Sequence, residues 1–130
     1  MNKYVLLIDD DPIFHVIFSR MINKFYTGVN VISFLNGIEA LDYLNSNYTK
    51  ENQYVILLDI NMPVFNGWQF IEEITKRAII QNNNLTLYVV TSSTDSDDIK
   101  RAKNYFFVKD VLTKPLSVNT INFALGPLNN

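Results

Sequence analysis

Short apolar runs alternate with longer stretches of helical periodicity along the whole chain. The apolar runs occupy residues 4–8, 29–34, 54–58, 85–90 and 111–113. The uninterrupted runs at 4–8 and 54–58 are typical of parallel strands that are buried on both faces, and the other three are strand-like runs that contain isolated polar residues. We therefore predict a strand at each of them, the last one short.

The stretches between these runs carry helix start and stop signals. The predicted helices, with their capping residues, cover residues 11–24, 37–45, 66–77, 94–103 and 117–125. Asp11 and Pro12 supply a capping carboxylate and a proline at the first helical position, where no hydrogen bond is lost. In the second helix we expect Ile38 and Leu41 to pack inward.

Strand and helix thus alternate five times. Right-handed crossovers turn such an alternation into an α/β fold, an open parallel sheet with helices on both faces. The length of 130 residues suits one domain, and no linker, repeat or low-complexity segment interrupts it. We expect a single domain over residues 1–130 with no output domain.

The composition argues against several classes of function. There is no cysteine, which removes disulfides, zinc–thiolate sites and thiol nucleophiles. The net charge is −2 and no basic patch is present, so no nucleic-acid partner is expected. The apolar stretch at residues 5–8 is too short for a signal peptide or a membrane span, which predicts a cytoplasmic protein with no membrane partner.

Polar residues follow four of the predicted strands. They are Asp9 and Asp10 after the first strand, Asp59 after the third, Thr91 after the fourth and Lys114 after the fifth. Sites in open α/β sheets lie outside the carboxyl ends of the strands. The sequence therefore predicts that three carboxylates, a hydroxyl and an ammonium group converge at one edge of the sheet.

This set of groups suits phosphoryl transfer to a carboxylate. Three crowded carboxylates repel one another and are hard to keep ionised without a cation, and Mg²⁺ prefers such oxygen ligands. A lysine and a threonine hydroxyl supply the charge and the hydrogen bonds that a transferring phosphoryl group needs. Asp59 is central in the set, so an aspartyl phosphate on Asp59 is the natural interpretation.

Four segments, in order and at matching spacing, resemble the response-regulator receiver family of two-component signalling. They are Leu-Leu-Ile-Asp-Asp-Asp-Pro at 6–12, Leu-Leu-Asp-Ile-Asn-Met-Pro at 57–63 with Gly67, Val-Val-Thr-Ser at 89–92 and Leu-Thr-Lys-Pro-Leu at 112–116. The resemblance covers nearly the whole chain. It implies a flavodoxin-like, doubly wound five-stranded parallel sheet of order 2-1-3-4-5.

The resemblance also implies a set of metal ligands. Asp10 would bind Mg²⁺ directly and Asp9 through a water molecule, with the phosphoacceptor Asp59 and the backbone carbonyl of Asn61 as further ligands. No other cofactor is implied.

The same resemblance assigns the remaining site residues. Thr91 would hydrogen-bond the phosphoryl group on Asp59, and Lys114 would pair with it, with a cis peptide bond before Pro115. Asn61 and Ser93 match the positions that tune the lifetime of the phosphoryl group. Neither is a strong general base, so we expect only self-phosphorylation and slow dephosphorylation, not enzymatic turnover of another substrate.

As a function, the resemblance implies a response regulator. The phosphoryl group would come from a histidine kinase or a histidine phosphotransfer protein. The output would be altered binding of a downstream protein or onward phosphorelay. We expect a monomer, because the last predicted helix is short.

The first predicted helix carries more apolar residues than one core contact needs. The simpler interpretation is a well-buried helix. The sharper hypothesis is that Phe14 and Phe18 stay partly exposed and dock the helical bundle of a histidine kinase. His15, the only histidine, is expected to be a surface or half-packed residue, and Trp68 a structural one.

One position departs from the family pattern. Many receivers carry an aromatic residue three positions before the matching lysine, and here that residue is Val111. The aromatic residues Tyr105, Phe106 and Phe107 lie upstream, where we expect the end of the fourth helix and its loop. Our hypothesis is that activation shifts the fourth helix through Thr91 alone, or that the output is weak.

Three alternatives stand beside the receiver interpretation. A haloacid-dehalogenase-like phosphatase also uses an aspartate nucleophile with Mg²⁺, but it needs a second acid where this chain has Asn61. A flavin-binding electron carrier would need a glycine- and hydroxyl-rich phosphate loop where this chain has Asp9, Asp10 and Asp11. A receiver used only as an interaction module would not need the complete acceptor set.

Overall fold

The computed structural model of the protein describes residues 2–92 and 96–128. Five strands in these ranges form one parallel sheet: β1 Lys3–Ile8, β2 Val29–Phe34, β3 Gln53–Asp59, β4 Leu85–Thr91 and β5 Val108–Thr113. The helices are α1 Pro12–Phe25, α2 Gly37–Asn47, α3 Gly67–Thr75, α4 Ser96–Lys103 and α5 Val118–Leu125, with short 3₁₀ turns at Ala78–Gln81 and Gly126–Leu128.

The strand order is β2-β1-β3-β4-β5, which confirms the predicted doubly wound sheet. β1 lies between β2 and β3, and the chain crosses over β1 when it leaves β2. The helices that follow β1 and β2 consequently cover opposite faces of the sheet. None of the helices in the described ranges is long and apolar enough to cross a membrane.

Two hydrophobic layers, one on each face of the sheet, form the core. Alternate residues of β1 and β3 point into opposite layers, as the pleat of a strand requires. One layer joins Leu6, Ile8, Ile56 and Leu58 to residues of α2 and α3, and the other joins Val5, Leu7, Val55 and Leu57 to residues of α1 and α5. Burial on both faces explains why residues 4–8 of β1 and 54–58 of β3 are all apolar.

The local signals that predicted helix starts act as expected. The Asp11 carboxylate accepts a hydrogen bond from the Ile13 N–H at 2.9 Å. Asn66 and Gln69 form a capping box at the start of α3, with reciprocal bonds of 2.9 and 2.8 Å. The Asn66-Gly67 pair therefore opens a helix and not a hairpin. The bond between Lys114 and Pro115 is cis, as predicted.

The boundary predictions for β5 and α3 need correction. β5 begins at Val108, three residues before the predicted start. The prediction missed these residues because Lys109 and Asp110 break the apolar pattern, as charged residues often do in an edge strand. α3 ends at Thr75, two residues before the predicted 77, and a 3₁₀ turn follows. α4 begins at Ser96, while the predicted start at Thr94 lies outside the described residues, as does Ser93.

One packing prediction in α2 is wrong. Ile38 is 51 % exposed, whereas Leu41 is buried as expected. The buried stripe of α2 instead starts at Gly37, whose missing side chain admits the Phe65 ring. A Cβ on Gly37 would lie 2.9 Å from that ring. The helix is therefore rotated so that Ile38 faces solvent.

The Gly67→Ala substitution is predicted to destabilise the fold. An added Cβ would lie 2.5 Å from the Cα of Ile60 and 2.7 Å from the carbonyl oxygen of Asp59. Backbone atoms cannot move aside as a flexible side chain can, so we expect a loss of about 1–3 kcal/mol in the free energy of unfolding, measured by urea titration.

Ser46→Ala is the control. Ser46 is an exposed residue of α2, so its substitution by alanine should change the free energy of unfolding little. Equal stability of the two alanine variants would show that the α3 start is not packed tightly against β3.

Candidate functional site

The predicted site residues stand together at the carboxyl edge of the sheet. β1 and β3 run in parallel register, so Asp9 directly follows β1 beside the end of β3, where Asp59 is the last strand residue. Thr91 ends β4, and the backbone N–H of Lys114 donates a 2.9 Å hydrogen bond to the Thr91 carbonyl oxygen. This bond ties the loop after β5 to β4.

Three carboxylates form a cluster. One oxygen from each of Asp9, Asp10 and Asp59 lies within 4.8 Å of the others. Asp9 and Asp59 are buried and Asp10 is exposed. Hard oxygen donors at this spacing can hold a divalent cation that keeps part of its water shell. The structure thus brings together the three acids that the strand ends predicted.

Lys114 neutralises part of this charge. Its Nζ lies 2.5 Å from Asp9 Oδ2 and 3.7 Å from Asp59 Oδ2. Asp9 Oδ1 also accepts the backbone N–H of Asp11 at 2.9 Å. Lys114 is therefore bound mainly to Asp9, and its contact with Asp59 is a looser electrostatic one.

Burial raises the pKa of Asp59 above its ordinary value. The Asn61 backbone N–H opposes this shift through a 3.0 Å hydrogen bond to Asp59 Oδ1. The negative charges of Asp9 and Asp10 raise the pKa further, and Lys114 lowers it. The Asn61 N–H and Lys114 therefore do not fully offset the cost of burying the Asp59 charge beside two other acids.

Thr91 and Asn61 contact each other next to Asp59. Thr91 is fully buried, and the side-chain amide of Asn61 donates a 3.3 Å hydrogen bond to its hydroxyl oxygen. Asn61 is thus bound both to Asp59, through its backbone, and to Thr91, through its side chain. This contact makes Asn61 a bridge between the ends of β3 and β4.

The prediction for His15 is wrong. His15 is 6 % exposed, and its Nε2 lies 2.7 Å from the backbone carbonyl oxygen of Asp9. The buried residues of α1 are His15, Phe18 and Ile22, which recur at helical spacing. That spacing was present in the sequence, but apolar residues cover more than one stripe of α1, so the spacing alone does not select the stripe that contains His15.

The exposed surface of α1 also differs from the prediction. Phe18 is 1 % exposed and belongs to the core, so only Phe14 of the two predicted rings is partly exposed. Three residues that the prediction did not single out are open to solvent instead: Ile13 at 67 %, Val16 at 49 % and Ile17 at 52 %. These three residues are called the α1 apolar face below.

The face formed by α3 and α4 contains the other aromatic residues of interest. The Arg101 guanidinium lies 4.2 Å from the centre of the Trp68 ring, so Trp68 joins two helices. Val111 is half-buried within β5, and Tyr105 and Phe107 lie in the loop before it, as expected, with 5.8 Å between their ring centres. The Tyr105 hydroxyl donates a 2.5 Å hydrogen bond to Glu72 of α3.

Comparison with known proteins assigns the family. The model of the response regulator receiver domain matches residues 5–125, which include every site residue described above. The chain belongs to this receiver family. Its membership favours the receiver interpretation over the phosphatase and the flavin carrier that the sequence left open.

Known receivers are similar over most of the chain. A probable C4-dicarboxylate response regulator, DctR of Halalkalibacterium halodurans, is 33 % identical over 122 residues, which are 93 % of this chain but 49 % of that protein. Protein PilH of Pseudomonas aeruginosa is 28 % identical over 90 % of this chain and 89 % of its own length. The chain therefore spans about half of the first relative and most of the second.

A solved structure supports the receiver fold directly. A two-component response regulator from Cytophaga hutchinsonii has a TM-score of 0.82 and 29 % identity, covering 99 % of this chain and 98 % of the other. The chemotaxis protein CheY4 of Vibrio cholerae has a TM-score of 0.75 at 23 % identity, which supports the fold alone.

Asp59→Asn is predicted to stabilise the receiver at pH 7 in the absence of divalent cations. Because the folded-state pKa of Asp59 is raised, the native state keeps its proton longer than the unfolded chain does, and stability falls as pH rises above the ordinary value of 3.8. Asparagine retains the oxygen that accepts the Asn61 N–H and carries no charge.

Urea unfolding at pH 7 and at about pH 3 would test this expectation. The advantage of Asp59→Asn over wild type should be present at pH 7 and vanish at acid pH. The exposed Asp42 provides the control variant Asp42→Asn. An Asp59→Asn protein no more stable than Asp42→Asn at pH 7 would contradict the assigned cost of burying the Asp59 charge beside Asp9 and Asp10.

Proposed function

We propose that the receiver accepts a phosphoryl group on Asp59 from a phosphohistidine of a histidine kinase or a histidine phosphotransfer protein. The observation that carries this proposal is the acid cluster of Asp9, Asp10 and Asp59, with Lys114 within 3.7 Å of Asp59 Oδ2. An Asp59 oxygen attacks phosphorus, a new P–O bond forms, and the P–N bond to histidine breaks. The electron pair of that bond leaves with the imidazole.

The carboxylate cluster fits a magnesium ion. Asp10 is exposed and offers a direct ligand. One carboxylate oxygen of Asp10 lies within 4.8 Å of an oxygen of Asp59 and of an oxygen of the buried Asp9. The backbone carbonyl of Asn61 is the proposed fourth protein ligand. Mg²⁺ would offset the repulsion among the acids and the charge on the incoming phosphoryl oxygens.

Lys114 and Thr91 supply the remaining stabilisation. Lys114 is bound to Asp9 at 2.5 Å, and a short movement of its flexible side chain would bring the ammonium group to a phosphoryl oxygen near Asp59. The Thr91 hydroxyl would donate its proton to another phosphoryl oxygen. Asn61 and Ser93 provide no general base, so the phosphoryl group is expected to hydrolyse slowly, and catalysis is limited to this cycle.

The α1 apolar face is the proposed docking surface for the phosphoryl donor. Ile13, Val16 and Ile17 lie at the start of α1, which begins directly after Asp10 and Asp11. A helical bundle that covers this face would bring its histidine to the carboxyl edge of the sheet. Exposed apolar residues grouped beside a reactive site are typical of a protein interface.

The proposal also includes the setting of the reaction. The receiver would act in the cytoplasm as a monomer and pass its signal through a protein partner or a further histidine, without nucleic acid or membrane. The similarity to the chemotaxis protein CheV1 of Helicobacter pylori, which is 26 % identical over 102 residues, supports a signalling role.

Acetyl phosphate with Mg²⁺ should add one phosphoryl mass to the wild type in intact-mass spectra. Asp59→Asn should remain unmodified, because the attacking carboxylate is gone. Chelation of the metal should abolish the addition, since the acids then repel the donor. Wild type without added mass, or Asp59→Asn with it, would refute the proposed acceptor.

Ile17→Ser should slow phosphoryl transfer from a protein donor without affecting the small donor. Loss of an exposed apolar contact at a binding surface lowers transfer from a histidine phosphotransfer protein roughly fivefold or more. The rate with acetyl phosphate should stay near that of wild type, because acetyl phosphate needs no docking surface.

Phe106→Ser is the control for this comparison. Phe106 is 70 % exposed and lies just before β5. It is therefore at the amino ends of the strands, whereas the acids lie at the carboxyl ends. Its substitution should leave both rates unchanged. Equal loss in both variants, or no loss with Ile17→Ser, would exclude the α1 apolar face as the docking surface.

A further inference from the structure

Lys114 contacts a third group besides the two carboxylates. Its Nζ lies 4.5 Å from the centre of the Phe14 ring, while Asp9 Oδ2 is at 2.5 Å and Asp59 Oδ2 at 3.7 Å. The lysine side chain is 22 % exposed, so most of its water shell is gone. An ammonium group in this position depends on protein groups to replace its lost hydration.

Phe14 and Lys114 come from different parts of the fold. Phe14 lies in the first turn of α1, and Lys114 lies in the loop after β5. The Phe14 ring is half-buried and rests against Phe18, with 6.5 Å between ring centres. Because Phe18 belongs to the core, the Phe14 ring has a firm support on one side and meets the ammonium group on another.

We propose that Phe14 is the positioning residue of Lys114. The negative face of the ring attracts the ammonium group and holds it beside Asp9 and Asp59. This attraction acts over the whole ring face. The N–H groups of the ammonium therefore stay free to change their hydrogen-bond acceptor. Lys114 can therefore exchange Asp9 for a phosphoryl oxygen while it keeps its contact with Phe14.

The inference rests on the role of Lys114 in the proposed function. It adds the requirement that position 14 carries an aromatic ring. An aliphatic side chain at position 14 would fill similar space but would present no ring face. The ammonium group would then turn toward solvent for part of the time. Phosphoryl stabilisation should fall, whereas the metal ligands should be unaffected.

The first experiment compares Phe14→Leu with Phe14→Tyr. Leucine should lower both the rate of phosphorylation by acetyl phosphate and the affinity for beryllofluoride with Mg²⁺ by roughly threefold to tenfold, which is the scale of a partly desolvated cation–π contact. Tyrosine keeps the ring and should restore both to near wild type. The affinity for Mg²⁺ alone, measured by calorimetry, should not fall in either variant, because the metal ligands stay in place and the ammonium group is not one of them.

A double-mutant cycle separates positioning from packing. In a Lys114→Met background the further change Phe14→Leu should have no additional effect on beryllofluoride affinity, because the lysine through which Phe14 acts is absent. A loss as large as that in the wild-type background would show that Phe14 acts through packing and would overturn the proposal. Thermal unfolding of each variant confirms that the comparison is made between folded proteins.

Nuclear magnetic resonance tests the contact without phosphorylation. The Nζ of Lys114 lies over the Phe14 ring, so we expect the adjoining ε-methylene protons to resonate upfield of those of other lysines. Phe14→Leu should remove this displacement and Phe14→Tyr should keep it. An unshifted wild-type signal would refute the positioning role, whereas failure of wild type to gain phosphoryl mass would refute the proposed function and leave this contact intact.

Discussion

The repulsion among carboxylates that are close together and largely buried is the constraint on which the rest of the site depends. Asp9 and Asp59 lie at the ends of adjacent central strands, where water is largely excluded, and Asp10 lies beside them. Burial and like charge both favour the neutral acid. The fold offsets this cost with hydrogen bonds from the backbone N–H groups of Asp11 and Asn61 and with the charge of Lys114.

These compensating groups come from several elements, which ties the site to the whole sheet. The loop after β5 delivers Lys114 and is hydrogen-bonded to the end of β4. α1 adds the imidazole of His15, 2.7 Å from the Asp9 carbonyl, and the ring of Phe14, beside Lys114. α3 packs so closely on β3 that only glycine fits at position 67. The site is thus a property of the packed layers, and no single segment contains it.

The excess negative charge of the three acids also explains why the proposed chemistry needs a cation. A cation and a phosphoryl group would together complete a set of charges that the chain alone leaves incomplete. α1 then has two roles in one short stretch. Its inner residues hold the lysine and the loop of Asp9, while its outer residues Ile13, Val16 and Ile17 form the surface proposed for the donor. The proposed docking surface and the proposed positioning residue therefore lie on the same helix.

The sequence by itself determined the features that depend on local pattern. The apolar runs of β1 and β3, the acids at their ends and the caps at Asp11 and Asn66 follow from burial on both faces and from unsatisfied helix N–H groups. Only the tertiary structure decided which stripe of α1 and α2 faces the sheet, because helix rotation depends on neighbours distant in sequence, such as Phe65 against Gly37. That rotation buried His15 and exposed Ile38, and it placed Phe14 against Lys114, 100 residues further along the chain.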